Sequence, residues 1–153
     1  MIIVLSLLFD GWVAKLLLSD VYQILDENRT SNELVSALND EKTAFEAYMR
    51  SMDDERSLAQ LDAAITKTKA VLRKFPSDYE KLGELRDLKR WSIENAYEVY
   101  SIERDSLIAW AKDNDVSVEK LYQVYDMQDY LIKYSQDLMG LTISTGNDVY
   151  TAM

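Results

Sequence analysis

Arg90, Trp91, Asn95 and Tyr97 on one stretch, and Tyr130 and Tyr134 on another, carry the side chains that a small-molecule site would use. A guanidinium pairs with an anion, an amide offers donor and acceptor together, and aromatic faces cover an apolar body. Helix counting brings Lys42, Phe45 and Arg50 to the same level, which makes this the candidate pocket. The plainer reading stands beside it: tyrosines with buried rings and wet hydroxyls, and a solvated Arg90. Glu103 is expected on a buried helix face, as a helix-end ion pair or dimer contact rather than a ligand clamp.

Covalent and metal chemistry find little to build on. The 153 residues include no histidine and no cysteine, which removes phosphoaccepting histidines, histidine-ligated metals and haem, thiol catalysis, disulfides and iron–sulfur clusters. Carboxylates are plentiful, but no spacing singles out an acid and base pair among solvated helix faces. We therefore expect no enzyme, no cofactor and no metal site. A formal charge of −10, from 17 basic and 27 acidic residues without a basic cluster, argues against nucleic acid as a partner.

The elements that must position the candidate residues are helices. One proline, four glycines and long uninterrupted runs point to a single all-α domain, an antiparallel up-down four-helix bundle with long helices of unequal length. Residues 1–15 form an apolar stub, too interrupted by Asp10 and Lys15 to span a bilayer, and read either as the end of a membrane helix or as a helix start buried in a partner. Residues 16–140 form the bundle. Residues 141–153 are a tail or the start of a continuing helix, with Gly140 or a turn at Gly146-Asn147-Asp148 as the alternatives for a stop.

Within the bundle, helix one shows a 4-3 row of Ile24, Asn28, Ser31, Val35, Leu38, Lys42, Phe45, Met49 and Met52. Its polar run at residues 28–32 reads as a local break or solvated turn, or else as a ligand-contacting patch. Asp53-Asp54-Glu55 suits the start of helix two, whose row is Leu58, Leu61, Ile65, Thr68, Leu72 and Phe75. The central helix opens with Pro76 and a capping box of Ser77 and Glu80, then runs about 35 residues to Lys112. Its apolar arc, including Ile93, Ala96, Val99, Tyr100, Ile102, Leu107 and Trp110, covers roughly 220° and is interrupted by Lys89, Ser92, Asn95, Glu103 and Ser106. Ser117 is the expected N-cap of helix four, with Val118, Leu121, Tyr125, Gln128, Ile132, Ser135 and Met139 as its row.

The stretches SDVYQILDENRTSNELVSAL, KFPSDYEKLGELRDLKRWSIENAYEVYSIERD and LYQVYDMQDYLIKYSQDLM together resemble the helical extracytoplasmic sensor region of Gram-positive membrane sensor histidine kinases. The likeness covers Leu16 to Gly140, is one of texture and order, and carries no catalytic signature. It implies a signal-input domain of a two-component receptor, located at the cell membrane on its extracytoplasmic side. It also implies a homodimer held to the membrane by flanking helices of a longer parent, with a small molecule or peptide as possible ligand. The chain has no kinase core and no phosphoaccepting histidine, so phosphotransfer would belong to that parent. The alternative is a non-catalytic helical interaction or scaffold protein whose apolar ends bury in a partner.

Overall fold

The computed structural model of the chain describes residues 2–75 and 84–151. Among these it is all-helical: α1 (Ile2–Arg50), α2 (Glu55–Leu72), α3 (Glu84–Ala111) and α4 (Val118–Thr151). α1 packs on α2 and on α4, and α3 packs on α4. The capping box at Ser77 and Glu80, with the start expected for the central helix, lies outside the described residues.

Helix starts follow from local chemistry. Asp54 is extended at the head of α2, accepting from the Arg56 amide at 3.1 Å and from the Ser57 hydroxyl at 2.7 Å. That satisfies a donor which the first turn leaves orphaned. The Ser57 hydroxyl and Arg56 amide hold the Asp54 carboxyl below its ordinary pKa. At α4 the Lys120 amide donates to Ser117 Oγ at 3.3 Å, as expected for an N-cap.

α1 contradicts the expected break at residues 28–32, since it runs through them as continuous helix. Thr30 and Ser31 are buried, so these polar residues face the core rather than solvent. The Thr30 hydroxyl donates back to the Asp26 carbonyl at 3.0 Å, which satisfies it without leaving the helix. α4 likewise passes Gly140 and the Gly146-Asn147-Asp148 triplet without a turn.

The core is built from four seams. α1 contributes Glu27, Ser31, Leu34, Leu38, Glu41, Phe45 and Tyr48, at strict 4-3 spacing. α3 contributes Ile93, Tyr97, Tyr100, Arg104 and Leu107, while α4 contributes Val124, Gln128, Leu131, Ser135 and Leu138. α2 adds Ser57, Leu61, Thr68 and Val71. In α1 and α4 every second member of the expected row is displaced by one residue, so Asn28, Val35, Lys42 and Met49 flank the seam rather than form it. In α3 the expected arc is too wide: Val99 and Ile102 are more than half exposed, and Asn95, Glu103 and Ser106 lie on the exposed side.

Interhelical contacts fix the heights. Asp40 pairs with Lys67, the Ala37 carbonyl accepts from Thr68 Oγ1 at 3.3 Å, and Glu33 pairs with Lys74, so contacts descend α1 as they climb α2. Phe45 meets the edge of Tyr125 at 6.0 Å, and Lys42 pairs with Asp129. These surface ion pairs contribute about 0–1 kcal/mol each, so apolar burial carries most of the packing.

Candidate functional site

The 4-3 spacing that buries Leu34, Leu38, Phe45 and Tyr48 also carries Glu41 into the interior of α1. The spacing that buries Ile93, Tyr97, Tyr100 and Leu107 does the same for Arg104 of α3. The two side chains are each 1% exposed and meet as an ion pair, Arg104 Nη1 donating to Glu41 Oε1. Taking each ion out of water costs several kcal/mol, which a single contact does not repay.

The remaining lone pairs and donors are therefore engaged as well. Tyr97 donates its hydroxyl to Glu41 Oε2 at 3.0 Å. Arg104 donates from Nε to Asp105 Oδ1 at 2.9 Å, and the Asp105 carboxylate is mostly in solvent. The guanidinium carbon stands 5.3 Å from the centre of the Tyr100 ring, within the range of a cation–π contact. From α4, Gln128 Nε2 donates to the Tyr100 hydroxyl at 2.7 Å, while Gln128 Oε1 is buried with no hydrogen-bond partner among the described residues. A polar layer thus ties α1, α3 and α4 together at one height.

Its electrostatics are those of a held charge rather than a proton shuttle. Burial first, and then the Glu41 charge, push the Tyr97 and Tyr100 phenols above their ordinary value near 10, so both stay protonated. Burial disfavours the Arg104 cation, but Glu41, Tyr100 and Asp105 together outweigh it and raise its pKa. Among the described residues no group of His, Cys, Asp or Glu gathers in the way that holds a metal ion.

The residues singled out in the sequence fall into separate places. Tyr97 belongs to the buried layer. Trp91 is 60% exposed on α3, and its carbonyl accepts from Asn95 Nδ2 at 2.7 Å, so these two form a local pair on the outer face. Tyr130 is 53% exposed and stacks on Tyr134 at 5.2 Å with planes 20° apart. The Arg90 side chain lies outside the described residues. Lys42 and Phe45, placed with them by helix counting, face Asp129 and Tyr125 of α4.

Glu41 and Arg104 were missed as a site. The signal that could have found them is a pair of opposite charges, each at a seam position of a different helix. No family model, no curated protein and no solved structure matches the chain.

Proposed function

We propose that this chain is a non-catalytic signal-input domain, the extracytoplasmic sensor part of a membrane sensor histidine kinase. In this reading the helices form an antiparallel up-down bundle, dimeric, and attached to the membrane through flanking helices of a longer parent. The observation that carries it is the buried Glu41–Arg104 layer, which couples α1, α3 and α4 through charge in place of apolar packing. Replacing a buried ion pair with well-packed apolar residues is often neutral or stabilising, so a layer of this kind is better suited to choosing between helix arrangements than to raising stability. A ligand acts by favouring one arrangement over the other. Trp91 and Asn95 stand within two helical turns of Tyr97, and Tyr130 and Tyr134 lie on α4, so binding at either face has a short route to the layer.

Localisation supplies the test. The chain has no cysteine, and Ser36 is exposed on α1. A Ser36→Cys variant in the native protein should react with a membrane-impermeant maleimide in intact source cells. Reaction only after lysis would remove the extracytoplasmic reading.

A second reading has its own support. Leu7, Leu8, Phe9, Trp12, Leu16 and Leu18 of α1 are each 47% exposed or more, an apolar surface that a helical scaffold would bury in a partner. No helix among the described residues is long and apolar enough to cross a membrane. Recovery of the native protein in a soluble complex, at a mass near that of this chain, would favour the scaffold.

A further inference from the structure

On the side of the α3–α4 pair that involves neither α1 nor α2, two hollows meet end to end. One, of about 540 Å³, is lined by residues including Glu103, Leu107, Trp110, Lys120 and Val124. The other, of about 390 Å³, is lined by Ala96, Val99, Tyr130 and Leu131. Asp126 and Met127 belong to both. Together they run along α3 from residue 96 to residue 110, roughly 21 Å at 1.5 Å per residue, which is about four turns of helix.

Along this line the surface is apolar where a neighbour would sit: Val99 and Tyr130 of the lining are each 53% exposed. Its charge is one-sided. Glu103 and Asp126 have no ion-pair partner among the described residues, and the one cation in the lining, Lys120, is already engaged with its Nζ 4.0 Å from the centre of the Trp110 ring. Lys120 and Trp110 thereby close one end, leaving a trough with an apolar floor and acidic walls. With the chain at −10, the field outside the trough also favours a cation.

We infer that the α3–α4 trough is a docking site for a basic amphipathic helix of another protein. Apolar residues of that helix at i, i+3, i+4 and i+7 lie along Val99, Met127 and Tyr130, and lysines or arginines beside them meet Glu103 and Asp126. The inference does not depend on the sensor reading, since it rests on the α3–α4 hollows and not on the Glu41–Arg104 pair.

The probes are two 18-residue peptides with the same leucine stripe, one flanked by lysines and one by glutamates, and the assay is calorimetric titration of the full chain. The lysine peptide should bind at 1:1, more weakly as salt rises, and the glutamate peptide at least tenfold more weakly. Tyr130→Asp and, separately, Val99→Asp should each weaken the lysine peptide at least tenfold, with helical circular dichroism unchanged because both sites are exposed. Glu103→Lys with Asp126→Lys should reverse the preference between the peptides. Equal binding of both peptides, no binding of the lysine peptide, or affinity indifferent to both apolar variants would overturn the inference. So would self-association, or binding to neutral lipid vesicles, that Val99→Asp abolishes, because the face would then belong to a second copy or to a bilayer.

Discussion

Single changes at the Glu41–Arg104 pair are expected to be costly, because each leaves the opposite charge buried alone. Glu41→Leu or Arg104→Met should lower unfolding free energy by about 3–5 kcal/mol, while the double variant should come back to within about 1 kcal/mol of the parent or exceed it. Urea titration of the set, read as a double-mutant cycle, measures the coupling. Tyr97→Phe removes a hydrogen bond to a buried charge and should cost about 1.5–3 kcal/mol. The phenols also set an alkaline limit. Their folded-state pKa values are raised, so the stability they contribute is complete below the unfolded value of about 10 and is lost as pH rises through the folded values. Urea midpoints should therefore hold through neutral pH and fall above about pH 10, with a shallower fall in Tyr97→Phe. Residues of this kind are hard to read from sequence. A carboxylate at a seam position looks like a boundary residue until its partner on another helix is known, and Glu41 and Arg104 stand 63 residues apart in sequence.

Helices are the scale at which the sequence is most legible, because caps and periodicity are local. Asp54 and Ser117 stand at the heads of α2 and α4 where acidic and hydroxyl residues precede apolar rows. Asp54→Ala should speed hydrogen exchange at residues 56 and 57, whereas Asp54→Asn, which keeps an acceptor, should leave it nearly unchanged. The depressed carboxyl makes this cap a source of stability above the unfolded pKa, lost as pH falls through its folded value. Which residues of a row face inward was less legible. In α2 the expected row holds both Leu58 and Leu61, yet Leu58 is 40% exposed and Leu61 is 1% exposed. Leu61→Ala should cost about 2–5 kcal/mol and Leu58→Ala well under half of that, a contrast that thermal unfolding resolves. In α1 the displaced row follows from Glu27 and Glu41 holding seam positions that a charge-averse reading gives to their neighbours, while in α4 the buried Val124 and Leu131 adjoin Tyr125 and Ile132, apolar pairs between which spacing alone does not choose. Gly140 sits inside α4 with nothing within 4 Å of an added Cβ, so Gly140→Ala should stabilise by about 0.5–1 kcal/mol.

At the scale of the molecule, apolar seams hold α1 to α2 and α4, while the link from α1 to α3 runs through a charged layer that also reaches α4. An apolar link tolerates neighbouring registers, whereas a charged one separates arrangements that keep the pair joined from those that part it, a discrimination that suits the proposed signal-input role. The decisive measurement is the basal output of a reporter kinase carrying this domain between its membrane helices, compared for the parent and the Glu41→Leu/Arg104→Met double variant, with folding of both verified by circular dichroism and urea titration. The expected result is a folded double variant whose output is locked at least about fivefold above or below the parent, the lower end of typical coupling energies. A folded double variant with the parent's output would show that the layer only packs the helices and would contradict it.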